Sequence, residues 1–519
     1  MQVVSLRVTG KQSLTAAIHL SLTACRIAET EVPGEHQLPS PSPSQSRTYV
    51  YYVILLIMFA AGIFFILAKG SSLQATRENS PIGSSTALPA ATIEIPSATP
   101  QPGPGTISKE PRRSPLSILL LQVIVILIVA RLFAAVFRRI HQPPVMGEIV
   151  AGLVLGPSVL GWLSPGTMAL LFPPPSMTTL SLLGQIGVVL FMFVVGMELD
   201  LEHLREKVSA ALMVSHASII VPFLLGAALS LVLYASLAPA NTSFTAFALF
   251  MGIAMSITAF PVLARILEDR GLSQSPLGRT ALACAAIGDF TAWCMLAFVI
   301  AIVKSHGLAA STVTIVLVLF FISVMFFVVK PRFGKLIESR VNDPKNTRGL
   351  LAGILAFVLA CAWLTESAGI HALFGAFVAG MVMPSMAGFR LFLKEKLESF
   401  SSAALLPLFF AFTGLRTEIR LLNDWSGWLI CLAIIAVAVT GKLGGSTLMA
   451  RWTRMSWRDS FSIGALMNTR GLIELVVLNI GYDLGILSAR IFVMMVIMAL
   501  VTTLMTAPLL SLLKLGKQT

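Results

Sequence analysis

The sequence predicts an all-α polytopic membrane protein, and three observations carry that prediction. Of 519 residues, 56% are hydrophobic and only 12% are charged, whereas soluble domains are about 25% charged. Apolar runs long enough to cross a bilayer follow one another from residue 116 to residue 513 with short breaks between them. The basic residues between these runs are concentrated in alternate loops, the pattern that positive-inside sorting produces.

Taken in order, residues 1–48 are polar, with Ser/Pro alternation at Pro39–Ser44. Residues 49–68 form a first apolar run, too long for the core of a signal peptide and so read as an extra transmembrane helix. Residues 69–115 carry Pro81, Pro89, Pro96, Pro100, Pro102 and Pro104 among many Ser and Thr, a composition expected to stay disordered. Thirteen runs follow: 116–137, 144–161, 178–198, 208–235, 243–267, 277–303, 309–329, 350–367, 370–388, 400–415, 425–448, 460–482 and 487–513. A short tail, 514–519, closes the chain, and no C-terminal soluble domain is expected after it.

The loops and flanks after the odd-numbered runs hold most of the Lys and Arg, from Arg138 and Arg139 through Lys514 and Lys517. Those after the even-numbered runs hold only Lys304, Arg416, Arg420 and Arg490. A single miscounted helix would invert every later loop and destroy this alternation. The first of the thirteen runs therefore enters from outside and the C-terminus is cytoplasmic. The expected location is the plasma (cell) membrane. The net charge of +13 then reports topology, and no nucleic-acid partner is implied. Of the five cysteines, Cys284, Cys294, Cys361 and Cys431 lie inside apolar runs and Cys25 does not. No pair has metal-ligand spacing, so they read as small apolar residues.

Two of the runs look broken. Ser256-Ile257-Thr258-Ala259-Phe260-Pro261 places a proline in mid-membrane. Pro261 has no N–H and clashes with the preceding turn, so upstream carbonyls lose their partners and must face protein, water or an ion. Ser256 and Thr258 add hydroxyl oxygens there. Asn468-Thr469-Arg470-Gly471 is a polar interruption of an otherwise apolar run. The fifth and twelfth runs are an odd number apart and so cross the membrane in opposite directions. Two interrupted helices at corresponding, inverted positions point to a transporter site near the midplane.

Four ionisable residues lie deep in these runs. Asp289 is roughly 15 Å into its helix at the α-helical rise. A carboxylate there is costly unless paired, protonated or wet, and marks function by default. Lys442 sits among Gly441, Gly444 and Gly445, which allow another backbone to approach. It either serves the interior or snorkels toward the surface near Arg451. Arg470 and Glu474 are i and i+4 and fit a structural ion pair as well as a transport role. Glu148, His216 and His371 are weaker candidates.

These segments resemble the cation:proton antiporter-2 family. The residues that carry the resemblance are Val145–Glu148 with Gly152 and Gly156-Pro157, Ser256–Arg265, Gly369–Pro384, Leu406–Leu415 and Asn468–Leu478, five motifs in order over residues 116–513. The last three are most similar to plant-type cation/proton exchangers. The resemblance implies a thirteen-helix antiporter fold with inverted repeats, two crossing broken helices, a mobile core domain and a dimer domain, and a homodimer. It also implies monovalent cation/proton exchange without a cofactor. Asp289 then matches the ion-binding aspartate, Thr258 the broken-helix oxygen ligand and Lys442 the core-domain lysine. Gly288 stands where the family usually has Asp, Asn or Gln.

The function expected from this reading is a secondary antiporter exchanging H⁺ for Na⁺ or K⁺ by alternating access. Asp289 binds either substrate, and Thr258, Ser256 and nearby carbonyls complete an oxygen shell suited to a hard cation. With one carboxylate at that level, exchange is expected to be electroneutral. A channel-like K⁺ efflux protein on the same fold is the alternative. A membrane enzyme or sensor is a third reading, without an H-E-x-x-H or G-x-S-x-G pattern to support it.

Overall fold

The computed structural model describes residues 43–79, 114–198, 208–304, 308–341 and 347–513, and among these every regular element is helical. The polar segment up to residue 42, the linker from 80 to 113 and the tail 514–519 lie outside the described residues. The chain divides into two units, residues 1–66 and 67–519. The described part of the first unit is the N-terminal portion of helix α1 (Pro43–Asn79), whose apolar side chains are largely exposed. This helix runs on past residue 68, so the linker expected from residue 69 begins as helix. The apolar stretch Tyr52–Gln74 is followed by Ala75, Arg77 and Glu78, which are good helix formers, and the helix continues to Asn79.

In the second unit the spans start and stop where local chemistry dictates. Helix α2 (Pro115–Arg139) opens on Ser114, whose hydroxyl accepts the Ser117 amide at 3.2 Å, with proline at the first helical position. Helices α3 (Pro144–Leu155), α4 (Pro174–Glu198) and α5 (Val208–Leu237) follow. The broken fifth run becomes α6 (Phe244–Ser256) and α7 (Phe260–Asp269). Next come α8 (Pro276–Lys304), α9 (Leu308–Ser323), α10 (Lys330–Val341) and α11 (Thr347–Ser367).

The run 370–388 does not form one span. Gly369, at φ +78°, closes α11 in the left-handed conformation. His371 caps a ten-residue helix, α12 (Ala372–Met381). Pro384 cannot continue a helix and restricts the residue before it, so the chain turns. The next helix begins at Ala387, earlier than the expected residue 400. It comprises α13 (Ala387–Phe400), a π-helical turn (Ser401–Leu405) and α14 (Leu406–Leu415). The eleventh run is α15 (Trp425–Val439), a π-helical turn (Thr440–Gly444) and α16 (Gly445–Trp452), with Trp425 and Trp452 exposed at its two ends. The last two runs are α17 (Trp457–Met467) with α18 (Leu472–Asp483), and α19 (Ala489–Leu512). Among the described residues, twelve spans are long and apolar enough to cross a membrane, or thirteen if α17 and α18, bent by 43°, count as one.

The helices of this unit sort into two groups. In one, α2, α3, α4, α12 and α14 pack together. A Cβ on Gly414 would sit 2.5 Å from the backbone of Gly152, and one on Gly380 would sit 2.9 Å from Gly196, so α3 meets α14 and α4 meets α12 backbone to backbone. In the other, α5 to α8 pack with α15 to α19. The groups face each other chiefly through α4, α14 and α18.

Candidate functional site

The first break is short. Ile257 and Ala259 are extended between α6 and α7, since Pro261 has no N–H to bond the carbonyl four residues back, Ile257 O, and its ring fits only the first turn of a new helix. The second break, Asn468 to Gly471, has no proline and is held open from outside. Asn468 Nδ2 donates to Thr502 O at 3.2 Å. The Thr503 hydroxyl accepts the Arg470 amide at 2.9 Å and donates to the Arg470 carbonyl at 3.0 Å, and Thr506 Oγ1 donates to Ala465 O. These three threonines of α19 were not singled out from the sequence. Their only signal there is a run of hydroxyls in an apolar helix.

The two breaks touch. The Ala259 amide donates to Thr469 O at 3.2 Å, and the Thr258 hydroxyl donates to Met467 O at 3.3 Å. A Cβ on Gly471 would stand 2.7 Å from Val262 Cγ2, so this approach needs glycine. The carbonyls at the end of α6 are already engaged. Arg470 donates to Ala254 O at 3.0 Å and Met255 O at 2.8 Å, and Lys442 donates to Ser256 O. Two buried cations therefore sit at the negative end of a half-helix, where the dipole favours them. Arg470 also pairs with Glu474 at 3.1 Å, both fully buried, and Glu474 lies in the first turn of α18, where a negative charge is favoured.

Lys442 is fully buried, which rules out snorkelling. Its backbone is set by the π-helical turn Thr440–Gly444. Gly441 lets that turn press on α5, where an added Cβ would be 3.0 Å from Pro222 Cα. Pro222 has no N–H to offer the carbonyl four residues back, Ser218 O, and Lys442 Nζ approaches that carbonyl at 3.4 Å. Neither Pro222 nor the π turn was read from the sequence.

Asp289 is fully buried on α8, and neither carboxylate oxygen has a hydrogen-bond partner among the described residues. The Phe260 amide, at the N-terminus of α7, and the Lys442 charge act on it. A Cβ at Gly288 would meet the Ser215 hydroxyl of α5 at 3.3 Å, so part of the space of the family's polar side chain is taken by a neighbouring hydroxyl.

Asp289, Lys442, Ser256, Arg470 and Glu474 thus belong to one electrostatic cluster, with Thr258, Pro261, Asn468 and Thr469 shaping the breaks. The Ser256 hydroxyl turns back to Ile253 O at 2.8 Å. The weaker candidates lie elsewhere. Glu148 is on α3 and feels the charge of Arg131, His216 bonds Leu212 O within α5, and His371 caps α12.

Two cavities adjoin α18 at its opposite ends. One, of about 140 Å³, is lined by Pro143, Phe191, Pro261, Arg265, Phe410 and Leu472. The other, of about 30 Å³, is lined by Gln185, His371, Asn479 and Asp483 among others. Beside the smaller cavity, Arg416 at the end of α14 bonds Asp483 at 2.5 Å and Asn479 at 3.2 Å.

The family model described as "Sodium/hydrogen exchanger, transmembrane" matches residues 124–512. The chain belongs to the sodium/hydrogen exchanger family. As a member of that family it falls among transporters rather than enzymes. It is 43% identical over 395 residues to the Na(+)/H(+) antiporter NhaS4 of Synechocystis sp., covering 76% of this chain and 96% of that one. It is 40% identical to cation/H(+) antiporter 17 of Arabidopsis thaliana, covering 77% of this chain and 49% of the relative. It is 34% identical to K(+)/H(+) antiporter 1 of Saccharomyces cerevisiae, covering 76% and 46%. The exchanger chain thus spans about half the length of these plant and yeast relatives. In fold it is similar to the sodium proton antiporter MjNhaP1 of Methanocaldococcus jannaschii, with a TM-score of 0.57 at 15% identity over 77% of this chain and 98% of that one.

Proposed function

We propose that this exchanger moves protons against a monovalent cation, Na⁺ or K⁺, by alternating access, with Asp289 binding one or the other. The observation that carries the reading is a fully buried carboxylate without a hydrogen bond, placed where two broken helices meet and facing a buried lysine. A proton neutralises that carboxylate, and so does a desolvated monovalent cation. Occupancy by one excludes the other, which is the coupling an antiporter needs. Thr258 supplies a further oxygen to the cation, whereas the carbonyls at the end of α6 are taken by Arg470 and Lys442 and the Ser256 hydroxyl turns back to Ile253 O, so those expected ligands serve the cation only after these contacts change. Lys442 holds a compensating charge when neither substrate is bound.

The fold around this site is a thirteen-helix antiporter with inverted repeats, in which the ten-residue α12 counts as one of the thirteen, preceded by α1 as an extra transmembrane helix. The second helix group is the moving core, and the first, with α3 and α14 locked through Gly152 and Gly414, is the scaffold and the homodimer face. The basic loops and the C-terminus are cytoplasmic, and the protein resides in the cell membrane. The larger cavity then opens from the cytoplasm, and the Arg416–Asp483 contact closes the outer side. Since only Asp289 offers a carboxylate at that level of α8, one charge replaces one charge and exchange is electroneutral.

The test is dissipation of a pH gradient by purified protein in liposomes, titrated separately with Na⁺, K⁺ and Li⁺. Cation-stimulated proton flux supports antiport. Ion flux with no proton countermovement overturns it.

A further inference from the structure

Five hydroxyls deep in the second helix group have no hydrogen-bond partner among the described residues: Ser215 and Ser218 on α5, Ser446 and Thr447 on α16, and Ser460 on α17. All five residues are buried, the most exposed at 7%. This is unusual for serine and threonine in apolar helices, which commonly bond their own backbone one turn back. Thr440, Ser462 and Thr502 do so in the same group.

Their placement is not scattered. Helix α5 packs on α8 and on α16, while α17 packs on α8 and on α16. The four helices therefore enclose a common axis, and contacts along it name its members. A Cβ on Gly288 would meet Ser215 Oγ, and one on Gly464, a turn beyond Ser460, would run into Thr447 Oγ1. Ser218 lends its carbonyl to Lys442, and Ser446 follows Lys442 by one turn. The inner end of this axis is the Asp289 carboxylate, itself fully buried and without a hydrogen bond. The surface end, on the side of the basic loops, is the α16–α17 turn, where Ser460 lies one turn into α17.

Buried polar groups left without protein partners are satisfied by ordered water, which needs two to four such partners. We propose that these hydroxyls hold a file of water that carries protons between Asp289 and the Arg451–Trp457 end of the molecule while the site faces that side, and that the file is interrupted when the site faces the other. Each hop breaks one O–H bond and forms another, so the proton ends on the carboxylate with the file unchanged in composition, and its O–H groups turn back before the next proton passes. The proposal rests on the reading that Asp289 exchanges protons. It adds that protons and cations arrive by different routes, since the larger cavity is lined mainly by apolar side chains on the far side of α7 and α18.

The test begins with X-ray radiolytic labelling of the full-length protein in nanodiscs made up in H₂¹⁸O. Hydroxyl radicals generated from ordered water mark reactive side chains beside it, however deeply buried. Cys284, one turn before Gly288, and Met449, three residues after Ser446, are expected to label, while the equally buried Met494 is not. In the Ser446→Ala/Ser460→Ala double variant that labelling should fall. Turnover at saturating cation should drop, with a larger solvent isotope effect and an unchanged cation KM. Absence of labelling at Cys284 and Met449, or unchanged turnover in the variant, overturns the water file. If Asp289→Asn is inactive in the same preparation, its assignment survives that loss. If instead the residues label but Asp289→Asn exchanges normally, the reading of Asp289 fails and the proton route fails with it.

Discussion

Arg470 and Lys442 are both fully buried cations at the end of α6, yet they are answered differently. Arg470 bonds two carbonyls and has Glu474 at 3.1 Å on its own chain segment. Lys442 also bonds carbonyls, Ser256 O and Ser218 O, but among the described residues it forms no ion pair with Asp289, the carboxylate whose charge acts on it. The first arrangement is closed, with charge matched to charge and both helix dipoles respected. The second leaves one partner available to a substrate. In a low-dielectric interior a closed pair builds structure, while an open one is a place where charge can be exchanged.

The sharpest way to break this contrast is to open the closed pair. Arg470→Gln or Glu474→Gln leaves a buried charge alone and should destabilise the protein by about 3–5 kcal/mol. Loss of monodisperse protein in detergent chromatography, or a lower unfolding midpoint, is the expected readout. A variant that folds normally but transports poorly would move this pair to the transport side of the comparison.

Asp289→Asn tests the other member. It should keep the fold, because no hydrogen bond is lost, while cation-dependent proton flux falls by about a hundredfold or more. Liposome flux measured beside thermal unfolding separates the two effects, and retained exchange would sink the assignment.

The reason one pair was legible in the sequence and the other only partly so is physical. Arg470 and Glu474 are four residues apart in sequence, a local relation even though Arg470 lies in the break and only Glu474 on α18. The breaks were also local, written in Pro261 and in the polar run from Asn468 to Gly471. Lys442 was visible as a buried charge, but its aim depends on a π turn, on Pro222 of α5 and on a carbonyl of α6. These belong to three segments remote in sequence. Ser215 beside Gly288 and the threonines of α19 were missed for the same reason. The run 370–388 was misjudged because apolarity alone does not distinguish a span from a short helix followed by a Pro384 turn.

Thr258→Val sharpens the comparison at smaller scale. If its oxygen ligates the cation, losing one such interaction should raise the apparent cation KM about 3- to 10-fold with little change in maximal rate. An unchanged KM with reduced expression would make Thr258 a structural support through Met467 O. The smallest expected effect is a null. With the liposome potential clamped by a K⁺ ionophore, the reversal point of Na⁺-driven proton flux should not move with voltage. If it moves, a second charge takes part, and Lys442→Gln should abolish the dependence.

The helix that carries Lys442 ends in exposed tryptophans, Trp425 and Trp452, over a span of 28 residues. At the α-helical rise that is about 40 Å, close to the thickness of a bilayer with its headgroups. Tryptophan prefers the membrane–water boundary, so this helix is moored at both surfaces. Moving it along the membrane normal draws one ring toward the acyl chains and lifts the other toward water. If the site alternates between two access states as proposed, the lipid is part of the barrier between them. Shortening or lengthening the acyl chains should alter how readily the protein changes state while leaving the chemistry at Asp289 untouched.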